Sequence, residues 1–109
     1  MEPQSIPEPL ASFWKAVNAH DEHGFLDAFT EDGWVDDWGR KFTGREEIKA
    51  WSDKEFIGAR GTLDIERTIE QDGQVTVIGE WTSNYANGHS KFTFDLAGSK
   101  LASMRIREG

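Results

Sequence analysis

Residues 63–106, LDIERTIEQDGQVTVIGEWTSNYANGHSKFTFDLAGSKLASMRI, alternate apolar and polar side chains between breaks at Asp72-Gly73, Asn87-Gly88 and Ala97-Gly98-Ser99. Period-two alternation lines one face of a sheet with apolar groups, and glycine-containing breaks reverse the chain, so this half reads as a four-strand antiparallel meander. A two-residue turn at Asn87-Gly88 predicts Trp81 opposite Phe94, Ser83 opposite Phe92 and Tyr85 opposite Ser90. A three-residue turn at 97–99 then sets Phe94 opposite Ala102, Phe92 opposite Met104 and Ser90 opposite Ile106. At the first break, a three-residue loop with a Gly73 bulge places Ile69, Arg67, Ile65 and Leu63 opposite Val75, Val77, Gly79 and Trp81. The two-residue alternative would put Glu66 and Asp64 there. A one-residue slip turns every side chain to the other face, so hydrophobicity selects the bulged turn. The reverse face carries Glu80, Thr82, Asn84, Lys91, Thr93, Asp95, Ser103 and Arg105 and meets water or a polar partner.

The apolar face needs a cover, and the preceding residues supply one. Ile6, Leu10, Phe13, Trp14 and Val17 recur at helical spacing, with Pro7 and Pro9 tolerable only in the first turn. Asp21 is placed to cap a second short helix through Phe25, Leu26 and Phe29, which Glu31-Asp32-Gly33 ends. A short strand, Trp34 to Trp38, follows. Thr43 and Glu46 form a capping box for a third helix that runs to Gly58, with Ile48, Trp51 and Glu55/Phe56 on one side. The expected fold is α+β, a cone-like curved mixed sheet wrapped around three N-terminal helices, with a pocket at one end. Residues 1–5 are read as a flexible N-terminus and 6–109 as a single domain.

Composition narrows the function. Twenty acidic against twelve basic side chains give a formal charge of -8, which disfavours nucleic-acid phosphates and anionic membrane surfaces as partners. No cysteine is present, so disulfides and thiolate metal sites are excluded. The start, MEPQSIPEPL, has no basic region followed by an apolar run, and a cytoplasmic protein is the expectation. His20, His23 and His89 lack metal-ligand spacing, and no Gly-rich phosphate loop, dinucleotide fingerprint or Ser-His-Asp pattern occurs, so neither metal nor cofactor is expected.

Two polar residues stand in apolar company. Asp37 alternates with Val35, which puts both on the inward side of the short strand with Trp34, Asp36 and Trp38 pointing the other way; alternation alone also allows the reverse facing, with Asp36 inward. A carboxylate set in an apolar pocket loses solvation of its charged form and becomes a usable proton acceptor. The bland alternative is a solvated or capping aspartate paired with Arg40 or Arg45, which residue type alone favours. Arg67, placed between Ile65 and Ile69 by the chosen register, could hold an anion or steady a developing oxyanion; the alternative is a buried stem with its head in water. Trp51, Phe56, Trp81, Phe92, Phe94 and Met104, with Phe13 and Val17 from the first helix, are the expected pocket lining and would suit a flat apolar ligand.

The segments VNAHDEHGFLDAFTEDGWVDD at 17–37, FTGREEIKAW at 42–51 and KLASMR at 100–105 resemble the nuclear transport factor 2-like superfamily, including its SnoaL-like and ketosteroid isomerase branches. The resemblance spans nearly the whole chain and implies an NTF2-like (cystatin-like) α+β barrel, often paired as a homodimer through the outer sheet face. It puts Asp37 where the isomerase branch keeps its proton-shuttling aspartate. It also puts Phe13 where that branch has an oxyanion-hole tyrosine, and Ser90, or Lys91 if the turn is counted differently, where it has a neutral acid donor. With both strong donors gone, ordinary steroid isomerisation is not implied. The expected function is binding of an apolar or aromatic metabolite with proton transfer next to a carbonyl, of isomerase or lyase type, using Asp37 as base and Arg67, or Ser90 with Tyr85, against the oxyanion. The alternative is a non-catalytic ligand carrier or protein-interaction domain of the same fold.

Overall fold

The structure, a computed structural model, describes residues 6–109, so the tail expected at 1–5 lies outside the described residues. The elements run α1 (Leu10–Asn18), α2 (Glu22–Asp27), β1 (Phe29–Asp37), β2 (Arg40–Thr43), α3 (Gly44–Glu55), β3 (Thr62–Gln71), β4 (Gln74–Thr82), β5 (Gly88–Ala97) and β6 (Lys100–Glu108). The strands form one curved, unclosed mixed sheet in the order β2-β1-β6-β5-β4-β3, in which only the β1–β6 pair is parallel. This is the expected α+β cone of a curved sheet around three helices.

In α1 the predicted stripe is buried, with Leu10, Phe13, Trp14 and Val17 at most 2% exposed, while Ile6 packs against the core from before the helix. Asp21 caps α2, its side chain accepting the Gly24 N–H at 3.1 Å. That helix ends at Asp27, earlier than expected. Phe29 is fully buried and already belongs to β1, so Glu31-Asp32-Gly33 lies inside the strand, where the register to β6 shifts between Phe29 and Trp34. The capping box is also displaced. Thr43 stands at the N-cap with no side-chain bond, and Glu47 rather than Glu46 returns to the Thr43 N–H at 2.9 Å. The third helix stops at Glu55, and the Gly58 N–H folds back onto the Ser52 carbonyl at 2.9 Å.

The strand β2 was not expected. Trp38 and Gly39, with φ of 54° and 95°, make the two-residue turn of a hairpin that pairs Asp37 with Arg40 and Val35 with Phe42. Trp38 is therefore a turn residue and does not follow Trp34 and Asp36 onto the outer face of β1.

Each meander register departs from expectation in an instructive way. Between β4 and β5, Phe94 pairs with Val75 rather than Trp81, a slide of six residues, because residues 83–87 form a loop and not a tight turn. In that loop Asn87 Oδ1 accepts the Ser83 N–H at 2.6 Å, and the Ser83 hydroxyl donates to the Ala86 carbonyl at 2.7 Å. Between β5 and β6, Phe94 pairs with Met104 rather than Ala102, a slide of two: one residue comes from the two-residue turn Gly98-Ser99, with Ala97 paired to Lys100, and one from a bulge between Asp95 and Leu96. Both slides are even, so the assignment of faces survives. At β3–β4 the bulge falls between Ile65 and Arg67, not at Gly73. Leu63 and Ile65 keep their predicted partners Trp81 and Gly79, but beyond the bulge Thr68 faces Val77 and Arg67 faces Ile78 on the outer side. The sheet bends sharply here: a Cβ on Gly79 would lie 2.3 Å from the Asp64 carbonyl oxygen.

The core is aromatic and edge-on. Phe13 meets Trp14 and Phe94 at ring distances of 5.0 and 5.4 Å, and Trp14 meets Phe92 at 4.9 Å, all near perpendicular. The Asn18 side chain ties α1 to the sheet edge, donating to the Leu63 carbonyl at 3.2 Å and accepting its N–H at 2.8 Å.

Candidate functional site

The end of β1, the β1–β2 turn, the last turn of α3 and the β4–β5 loop surround a cavity of about 460 Å³. Its wall is built in sequence from a few local decisions. The hairpin turn at Trp38-Gly39 brings Arg40 back beside Asp37. On α3, Trp51 and Glu55 are four residues apart and so share one face. Phe56 follows Glu55 as the helix stops. Together these place two carboxylates, a guanidinium and an indole at one point.

There, Asp37 Oδ2 accepts both the Trp51 indole N–H, at 3.0 Å, and an Arg40 Nη2–H. The same guanidinium donates to both oxygens of Glu55. Asp37 and Glu55 side chains are only 14% and 13% exposed, against 50% for Arg40. The hydrogen bond from Arg40 holds the Glu55 carboxyl below its ordinary value, and Glu55, then Asp37, hold the guanidinium above its own. Asp37 Oδ1 has no hydrogen-bond partner among the described residues.

Aromatic rings form much of the rest of the wall, with Phe42 stacked behind it on Trp51. Phe42, Trp51, Phe56 and Trp81 stack in a column, with successive centroids 5.9, 4.9 and 4.6 Å apart and interplanar angles of 25°, 24° and 10°. Trp81 lies against Gly61, where a Cβ would fall 2.0 Å from the indole ring. Phe92 and Ile106 close the floor, and Trp38 and Tyr85 stand at the mouth.

Of the expected catalytic residues, Asp37, Ser90 and Tyr85 border this cavity. Arg67 does not: the bulge in β3 turns it outward, where it is exposed. Of the expected lining, Trp51, Phe56, Trp81 and Phe92 are in the wall. Phe13, Val17, Phe94 and Met104, each at most 1% exposed, are sealed in the core beneath, because the slides in register carry Phe94 and Met104 away from the open end. Phe13 also borders a second, more open hollow between α1, α2 and the β5–β6 turn. The Ser90 hydroxyl donates to the Gly88 carbonyl at 3.1 Å, and Tyr85 sits 60% exposed in its loop.

Glu55 and Trp38 also border the cavity, beyond the residues expected there, and Arg40, expected only as a possible ion-pair partner of Asp37, joins them. The signals were present: Trp51-x-x-x-Glu55 on one helix face, and a turn-forming Gly39 two residues after Asp37. Asp36, by contrast, faces outward. Its carboxylate takes a two-pronged contact from Arg107, at 3.1 Å on each oxygen, and the Gly39 N–H at 2.8 Å. The Arg107 contact holds the Asp36 carboxyl below its ordinary value, against the opposing effect of burial, and the Gly39 N–H and Arg105 add to the lowering.

A helix-filled cone of this topology with an aromatic cavity at its open end defines a nuclear transport factor 2-like protein. Residues 10–109 match the SnoaL-like domain family, and the chain belongs to that family. No curated protein is similar enough in sequence to be matched. Among solved structures, a candidate polyketide cyclase from Sinorhizobium meliloti superposes with a TM-score of 0.82 at 16% identity, over 94% of this chain and 95% of that one. An NTF2-like protein from Cytophaga hutchinsonii gives 0.79 at 12% identity, over 95% and 93%. The Mycobacterium tuberculosis protein Rv0760c, solved with estradiol-17β-hemisuccinate, gives 0.81 at 21% identity, over 92% and 90%. At these identities the likeness is one of fold. Among the described residues no helix is long and apolar enough to cross a membrane.

Proposed function

We propose that the chain binds a flat apolar or aromatic metabolite in the 460 Å³ cavity and that Asp37 moves a proton next to a carbonyl of that ligand, an isomerase or lyase type of reaction. The observation that carries this reading is the Asp37 carboxylate itself. One oxygen is fixed by Trp51 and Arg40, which orients the group, and the other is left without a partner at the wall of an aromatic cavity. A base held in one orientation with one open oxygen suits proton abstraction, and positioned general bases contribute roughly 10²–10⁴-fold. Ser90 and Tyr85 are the available oxyanion donors, the Ser90 hydroxyl turning from the Gly88 carbonyl when a substrate oxygen arrives.

The test is hydrogen–deuterium exchange next to the carbonyl of flat cyclic ketones in D2O, followed by NMR. The protein accelerates exchange, and Asp37→Asn returns it to the buffer rate while ligand affinity persists. Exchange at the buffer rate with the unaltered protein, despite measurable ketone binding, would leave only the carrier reading. That second reading has its own support, since the strongest donors at the site, Arg40 and the Trp51 indole, are already committed to carboxylates. We also propose a homodimer through the outer sheet face, where Lys41 lies 4.4 Å and Arg105 6.0 Å from the half-buried Trp34 ring; sedimentation at two concentrations tests it.

A further inference from the structure

Three large apolar side chains are conspicuously exposed among the described residues, Trp38 at 59%, Tyr85 at 60% and Ile69 at 38%, and the first two border the same cavity. They come from different turns, the β1–β2 hairpin and the β4–β5 loop, that the topology brings to one rim. The end of β6 lies between them. Trp38 bonds through its N–H to the Ile106 carbonyl at 3.3 Å, and Glu108, two residues on, pairs with Ser90 of β5. Glu108 also borders the cavity, and its carboxylate makes no ion pair with a described residue.

The charges around the cavity are unbalanced. Three carboxylates, Asp37, Glu55 and Glu108, border it against Arg40 and His89. Arg40 spends both terminal nitrogens on Asp37 and Glu55, so its fork is closed to an incoming anion. His89 directs Nε2 to Glu66, at 2.9 Å, on the other side of the sheet. What remains for a ligand is a carboxylate without an ion pair on the same cavity rim as two exposed aromatic rings. Aromatic faces and a carboxylate both attract cations, and the two attractions act together on an ammonium group. The protein itself uses this chemistry at the other end of the wall, where the Arg40 guanidinium lies 5.6 Å from the Phe42 ring centroid.

We propose that the ligand of this cavity carries a protonated or quaternary amine on its aromatic or apolar body, with the body against the Trp51–Phe56–Trp81 stack and the cation at the rim among Trp38, Tyr85 and Glu108. This rests on the small-molecule reading of the cavity and names the charge of its ligand. The test compares three probes of one shape by calorimetry or tryptophan fluorescence: benzyltrimethylammonium, its neutral carbon isostere neopentylbenzene, and benzylsulfonate. The ammonium binds about tenfold or more tightly than the neutral probe, and the sulfonate most weakly. Glu108→Gln lowers ammonium affinity several-fold and leaves the neutral probe unchanged; Trp38→Ala lowers affinity for both probes and lowers it more for the ammonium, with unchanged circular dichroism in both variants. Equal or tighter binding of the neutral probe or the sulfonate, or an ammonium affinity indifferent to Glu108→Gln, overturns the inference and leaves the apolar cavity reading standing. Binding of none of the three overturns both.

Discussion

Replacing Asp36 by asparagine tests how the site is held from outside. Asp36 is adjacent to the candidate base but on the opposite face of β1, and it fastens three things at once. Its two oxygens meet Arg107 on β6, its Oδ1 also takes the Gly39 N–H, and through Gly39 it fixes the turn that presents Trp38 and Arg40. Asparagine keeps an acceptor for Gly39 and loses the charge. Hydrogen bonds to charged partners are each worth roughly 1.5–3 kcal/mol when buried, and less when water competes. The Asp36 side chain is 19% exposed, so a loss of about 1–2 kcal/mol is expected, or roughly 4–8 °C in Tm for a chain of this size. The pH dependence fixes the cause. Because the Asp36 carboxyl titrates below its ordinary value in the folded protein, its contribution is fully present above the unfolded value, about 4, and disappears as pH falls through the lowered folded value. Urea unfolding from pH 7 downward reads this directly: the gap between the protein and Asp36→Asn is widest at neutral pH and closes in acid. Arg107→Gln adds little on top of Asp36→Asn, since both remove one contact. No gap at neutral pH, or a gap that persists unchanged in acid, refutes the assignment.

Two further substitutions test the frame around the cavity. Asn18→Ala leaves both the N–H and the carbonyl of Leu63 without partners at the sheet edge, so a loss of about 1–3 kcal/mol is expected, with faster amide exchange at Leu63 by NMR; unchanged exchange there would refute the clamp. Gly79→Ala pushes a methyl to 2.3 Å from the Asp64 carbonyl oxygen at the β3 bulge, and overpacking of this kind costs about 1–3 kcal/mol. A denaturation midpoint equal to that of the unaltered protein would mean the bulge can slide along β3.

The faces of this sheet were legible in the sequence and the positions along it were not, for a physical reason. Alternation carries information only modulo two. Val75, Val77 and Trp81 are buried on one side as the pattern requires, but nothing in that pattern distinguishes Phe94 opposite Trp81 from Phe94 opposite Val75. The distinction was made by side-chain bonds within residues 83–87, where Ser83 and Asn87 stabilise a loop that competes with the Asn-Gly turn. Arg67 shows the converse. A bulge is a one-residue event, so misplacing it from Glu66 to Gly73 inverted the facing of every residue between, and an expected site residue became a surface one.

Asp37 is legible in the sequence and its partners are not, for the same physical reason. Asp37 was visible because a single residue and its alternation with Val35 mark an acid on an apolar face. Arg40 and Glu55 become site residues only through the hairpin at Trp38-Gly39 and through the packing of α3 on β1, and both are facts of three-dimensional juxtaposition. Their presence changes what Asp37 is. A lone carboxylate at the cavity wall could turn freely, whereas this one is held in a fixed orientation by the guanidinium and the indole. In the proposed proton transfer, Asp37 draws on this orientation and on its open oxygen. Arg40→Gln tests this: with the guanidinium gone Asp37 keeps only the indole donor, and the exchange activity falls while ligand affinity persists. Exchange activity equal to that of the unaltered protein would show that Arg40 is structural packing and leaves the base untouched.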